Sequence, residues 1–157
     1  MTIAPPDMLA TLSRKRFLAL DLGTKTIGLA TSDPSGMIAT PLATIKRTKL
    51  AADLDALMAT IKEEAPSALI LGLPINMDGS EGKRCQATRQ FAHDLGKRTE
   101  LPICLWDERL STSVVDRMMT EQADLSRQRR AELVDKLAAA YILQGVLDYI
   151  AKHNQSR

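Results

Sequence analysis

The chain has 157 residues, 45% hydrophobic, 25% charged and only 3% aromatic, with a formal net charge of +2. That length favours one domain, large enough to fold without disulfides or a structural metal, and the mild charge neither demands nor opposes a nucleic-acid partner. Cys85 and Cys104 lack CxxC spacing and read as reduced thiols, and no apolar run approaches the roughly 18 residues that span a bilayer, so a cytoplasmic protein without a membrane partner is expected.

Residues 1–14 hold Pro5-Pro6 and no periodicity, and read as a flexible tail. Phe17-Leu18-Ala19-Leu20 is a short apolar run that predicts a buried strand ending at Asp21. Gly23 and Gly28 frame a tight connection into a second strand, Ile27 to Thr31. Asp33-Pro34-Ser35-Gly36 is a turn signal, and a third strand follows from about Met37 to Ile45. Three strands joined by short turns predict an antiparallel meander.

The period then changes. Leu50, Leu54, Leu57, Met58 and Ile61 recur at helical spacing, with Pro66 at the exit. Ala68-Leu69-Ile70-Leu71 predicts a fourth strand, followed by a loop over Asn76 to Gly82. A second helix is expected over about Lys83 to Arg98, and a fifth strand over Ile103 to Trp106, running into Asp107-Glu108-Arg109. Ser111 or Thr112 can cap a short helix to about Met119. An Arg-rich bridge, Glu121 to Arg130, leads to a last helix over about Ala131 to Lys152. The order predicts an α/β domain over 15–152: one five-stranded mixed sheet, antiparallel across β1–β3 and parallel across β1, β4 and β5, with flanking helices. Residues 153–157 are left as a C-terminal tail.

Ligands of open α/β sheets bind beyond the C-terminal ends of the strands. Asp21 closes the first strand and Asp107-Glu108 the fifth, an ordinary position for chemistry and an odd one for packing. Strand alternation sends Asp107 and Glu108 to opposite faces, so only one of them points into a shared site. Asp135 lies in an otherwise apolar helical stretch with Ala138 and Ala139 three and four positions on, which lets that helix approach the sheet closely. Burying a lone carboxylate there is costly. Two such charges about 4 Å apart repel by roughly 4 kcal/mol at an effective dielectric of ~20. An oxygen-rich cluster of this kind selects a hard cation, Mg²⁺ or Mn²⁺, and a pair of such ions suits phosphodiester hydrolysis. Lys25, on the Gly-flanked turn, either holds a substrate phosphate or is a solvated lysine. Asn76 and Ser80 either meet phosphate or belong to an ordinary polar loop. Arg127, Arg129 and Arg130 suit a nucleic-acid backbone or a solvated face.

Four blocks together resemble the YqgF/RuvX family, whose members are described as Holliday-junction resolvases and as pre-16S rRNA nucleases. They are Ala19 to Ala30, Gly72-Leu73-Pro74 with Asn76 and Asp78-Gly79-Ser80, Trp106 to Thr112, and Asp135 to Ala139 with Ile142-Leu143-Gln144. In order, they cover about residues 18–149. The resemblance implies a ribonuclease H-like fold and a metal-dependent nuclease that matures the 5′ end of the small-subunit ribosomal RNA precursor, with ribosomal particles as a further partner. It implies Asp21, Glu108 and Asp135 as catalytic and metal-binding acids; from the residues themselves, Lys25, Asn76, Ser80, Arg109, Arg127 and Arg130 are the expected substrate contacts. Resolvase cousins carry an acid near the fourth strand, where this chain has Gly72-Leu73-Pro74; an acid of the fifth strand has to take its place.

Overall fold

The computed structural model describes the backbone of residues 3–111 and 127–155, with side chains described over 3–110 and 137–153. Among these residues five strands form one sheet in the order β3-β2-β1-β4-β5: β1 Phe17–Leu22, β2 Thr26–Ser32, β3 Ala39–Lys46, β4 Ala68–Leu73 and β5 Ile103–Asp107. β1 pairs antiparallel with β2, and β2 with β3, while β1–β4 and β4–β5 are parallel. The mixed sheet expected from the sequence is the one observed.

The helices are α1 Pro6–Leu9, α2 Leu50–Glu64, α3 Lys83–Gly96 and α4 Arg127–Gln155. Strand alternation divides the core in two. Phe17, Ala19, Ala68, Ile70, Cys104 and Trp106 face α4 and pack with Ala139, Ile142, Leu143, Val146 and Ile150. Leu18, Leu20, Leu69, Leu71 and Ile103 point the other way, onto Leu54, Leu57 and Ile61 of α2 and Phe91, Ala92 and Leu95 of α3. Covered on both faces, β1 and β4 read as unbroken apolar runs, as parallel strands do. β3 forms the open edge and tolerates Pro41 there, where a missing N–H does least harm. α2 ends on Ala65 in the left-handed conformation (φ 48°), its N–H donating to Ile61 O at 2.8 Å, just before Pro66.

Several expectations need correction. Residues 3–12 are no loose tail: Ile3 bridges to Ile103 beside β5, Ala4 N–H donates to Ile103 O at 2.8 Å, and Leu9 is fully buried against the α4 side of the core. A short amphipathic segment can dock without any periodicity to announce it. β1 runs one residue past Asp21, because Leu22 pairs with Ile27 in the hairpin even though the parallel pairing with β4 stops at Leu20↔Leu71. The last helix begins at Arg127, so the end of the Arg-rich bridge is its first turn, and it runs to Gln155 through most of the expected C-terminal tail. A 3₁₀ turn covers Glu108–Ser111. The short helix expected from Ser111 or Thr112 to about Met119 lies, past Ser111, outside the described residues. Among the described residues no helix is long and apolar enough to cross a membrane.

Candidate active site

Alternation sets the site as it sets the core. Asp21 continues the α4-facing row Phe17, Ala19; Gly72 continues Ala68, Ile70; Glu108 continues Cys104, Trp106. These three positions crown the parallel strands on the side covered by α4. A Cβ placed on Gly72 would lie 2.5 Å from Glu108 Oε1 and 2.5 Å from Ile142 Cδ1 of α4. The Glu108 carboxyl therefore occupies the space over the fourth strand that a side chain at 72 would fill.

Burial, chiefly, and then the negative charge of Asp21 push the Glu108 carboxyl up to about 7; Arg84, in the first turn of α3, opposes the rise, and Asp107 adds to it. Asp21 and Glu108 thus feel one another's charge although 87 positions separate them in the chain.

Asp107 belongs to a different assembly. Its carboxylate accepts from Arg109 Nε at 3.0 and 3.1 Å, from Arg109 Nη2 at 2.7 Å and from the Arg109 backbone N–H at 2.9 Å. Those hydrogen bonds hold the Asp107 carboxyl below its ordinary range. Of the two adjacent acids, Glu108 is the one turned towards Asp21. Arg109 extends the clamp, with Nη1 3.5 Å from Asn76 O.

The loop between β4 and α3 is closed on itself. Asn76 Nδ2 donates to Ser80 Oγ at 3.0 Å, Ser80 Oγ to Asp78 Oδ1 at 2.6 Å, and Ser80 N–H to the same oxygen at 2.9 Å. Gly79, at φ 88°, makes the turn, its N–H donating to Asn76 O at 2.9 Å. Asn76 and Ser80 are engaged within the loop, beside the Arg109 clamp. Lys25 stands exposed on the β1–β2 turn, two residues past Gly23. The side chains of Asp135, Arg127 and Arg130 lie outside the described residues; their positions fall in the first half of α4.

The sequence reading missed Gly72 and Arg84. A glycine in the middle of an apolar strand end is the signal for close approach by a neighbour. Arg84 carried no signal beyond its place just after the loop. Among the described residues no three acids, histidines or cysteines lie close enough together to hold a metal ion. The donor chemistry nonetheless fits one: two carboxylates, one of them half-buried and raised by that burial and by the other's charge, form an all-oxygen anionic site that a hard cation would neutralise.

Strand order, mixed pairing and the long helix across the site face define a ribonuclease H-like domain. The solved structure of Thermus thermophilus RuvC in complex with Holliday junction substrate shares that fold, with a TM-score of 0.57 at 10% identity, covering 90% of this chain and 96% of that one. Residues 15–149 match RuvX, described as Holliday junction resolvase, and the chain belongs to that family. It is 58% identical over 147 residues to a protein of Paramagnetospirillum magneticum, covering 93% of this chain and 94% of that one. It is 60% identical to one of Rhodobacter capsulatus, covering 92% and 91%. Both relatives carry the name "Putative pre-16S rRNA nuclease".

Proposed function

We propose that the chain is a metal-dependent nuclease that hydrolyses a phosphodiester bond of the small-subunit ribosomal RNA precursor, at its 5′ end, in the cytoplasm. The observation that carries this reading is the Glu108 carboxyl held over the bare α-carbon of Gly72 in the field of Asp21. The choice of precursor RNA rests on the name shared by relatives at 58% and 60% identity.

Asp21 and Glu108 would hold Mg²⁺ or Mn²⁺, with Asp135 as the third acid. Helical spacing puts position 135 on the stripe of α4 that also carries Ala139 and Ile142, and Ile142 touches the site at Gly72. The chemistry such ions would supply when bound is activation of water and stabilisation of the leaving oxygen. The chain's own residues supply the rest. Gly72 leaves room for the acids to converge. Lys25 meets a phosphate from its exposed turn. Arg127 and Arg130, whose positions fall in the first turn of α4, would follow a nucleic-acid backbone. The self-closed loop Asn76–Ser80, tied to Arg109, follows the end of β4 that carries Gly72.

A branched-DNA substrate is the second reading, favoured by the family description and by the shared fold with a junction-bound resolvase. One experiment addresses both: cleavage of precursor RNA and of a four-way DNA junction, side by side, with Mn²⁺ and with chelator. Cleavage of RNA that chelator and Asp21→Asn abolish is expected. Cleavage undiminished by chelator, or none of either substrate, overturns the proposal; preference for the junction transfers it to the second reading.

A further inference from the structure

One buried charge takes no part in the site just described. Asp53, in the first turn of α2, is 1% exposed. Its Oδ1 accepts the Thr48 backbone N–H at 2.9 Å, and its Oδ2 faces Arg47 Nε at 3.4 Å. A carboxylate removed from water needs partners, and these two fix it firmly enough to serve as an anchor.

Arg47, just past the end of β3, carries that anchorage across the sheet. Its Nη1 donates to Gly23 O at 2.8 Å, and its own backbone N–H donates to Lys25 O at 2.9 Å. Its guanidinium carbon lies 5.8 Å from the centre of the Phe91 ring of α3, which supports the group from one side. Gly23 N–H meanwhile donates to Thr26 O at 2.9 Å, closing the turn. Both carbonyls that Arg47 holds belong to the three-residue turn between β1 and β2, residues 23–25. Leu22 alone separates Asp21 from that turn, and Lys25 lies within it.

We propose that Arg47, anchored by the buried Asp53, is a positioning residue that grips the β1–β2 turn at two carbonyls and so fixes Asp21 and Lys25 relative to Glu108. The inference rests on the reading of Asp21 as a metal ligand and adds the device that sets its geometry. An arginine suits the task because its planar fork meets the carboxylate and the carbonyl at once. A lysine offers one centre for two partners. The pair differs in kind from Arg98–Asp55, a neighbouring ion pair at 2.6 Å whose partners are both exposed and which touches no part of the turn.

The test compares wild type with Arg47→Met, Arg47→Lys, Asp53→Asn and, as a control, Arg98→Ala. One readout is the Mn²⁺ dissociation constant from the electron paramagnetic resonance of free Mn²⁺. The other is amide hydrogen exchange in metal-free protein. Partners that orient a metal ligand typically change affinity ~10–100-fold. Arg47→Met is therefore expected to weaken Mn²⁺ binding by about tenfold or more and to speed exchange at residues 23–26 while β4 stays protected. Arg47→Lys should restore part of the affinity, Asp53→Asn should resemble a mild form of Arg47→Met, and Arg98→Ala should match wild type. Arg47→Met binding Mn²⁺ within about twofold of wild type overturns the positioning role, as does exchange that rises equally in β4. Wild-type protein that binds no Mn²⁺ overturns the metal-centre reading, and this inference falls with it.

Discussion

The two faces of the sheet finish differently. Towards α4 the rows end in Asp21, Gly72 and Glu108; away from it they end in Leu22, Leu73 and Asp107. The first set brings two acids together over a glycine. The second closes the core with two buried leucines and gives its one acid to Arg109. A step of one residue along a strand thus separates a group available for chemistry from one that holds structure. The neighbours Asp107 and Glu108 show it most sharply, since they have the same charge and different surroundings.

Breaking the α4-facing set should hurt activity far more than breaking its counterpart. Glu108→Gln is expected to lower the cleavage rate by at least ~100-fold, the upper end of what even an outer partner of a metal ligand contributes. Asp107→Asn should lower it less than tenfold, because an ion pair this exposed contributes only ~0–1 kcal/mol to holding Arg109. Equal losses in a single-turnover assay would erase the distinction between the faces.

The glycine and the leucine beside it should separate activity from stability. Gly72→Ala forces a methyl against Glu108 and Ile142, so it should destabilise by about 1–3 kcal/mol and displace the carboxyl, costing activity as well. Leu73→Ala, on the far face, leaves a cavity and should lose about 2–5 kcal/mol in denaturant melts, with the rate per folded molecule unchanged.

A third comparison uses pH. The Glu108 carboxyl stands at about 7 in the fold against an ordinary 4.5, so the folded chain holds that proton more tightly than the unfolded chain does. In metal-free protein its contribution is fully present below about 4.5, is lost as pH rises, and levels off above about 7. With allowance for partial exposure, the loss should be on the order of 1–2 kcal/mol. Glu108→Gln should flatten that slope in melts across the range, and Mg²⁺ or Mn²⁺ should offset it in the wild type. A wild-type slope that survives the substitution assigns it to other groups. The smallest effect belongs to Ser80→Ala, which removes two exposed loop hydrogen bonds, one accepted from Asn76 and one donated to Asp78, and should change stability by about 0.5–1.5 kcal/mol.

Much of this was legible from residues alone. Short apolar runs bounded by turn signals, and the change to helical spacing, located the five strands and the helices α2, α3 and α4, and the order of elements dictated the mixed sheet. Alternation required Asp107 and Glu108 to part company. It did not say which turned towards Asp21, because that depends on the space over Gly72, a contact across two strands and a helix. The closed loop of Asn76, Asp78 and Ser80 was equally hidden: the residue types suited phosphate contact and internal turn bonds alike, and only the geometry shows that the internal bonds form. Arg47 fell between the third strand and the first expected helix, and Asp53 within that helix, with nothing to tell a buried carboxylate from an exposed one.

The docked N-terminal residues bear on how the chain can be handled in the laboratory. Trimming to the first strand would remove Leu9 from beneath the core and expose the flank of β5 that Ile3 and Ala4 now shield. A bare flank of that sort invites pairing with another copy and precipitation. Purification tags therefore sit better at the opposite terminus, and a shortened version that turns insoluble would report a lost plug rather than a lost active site.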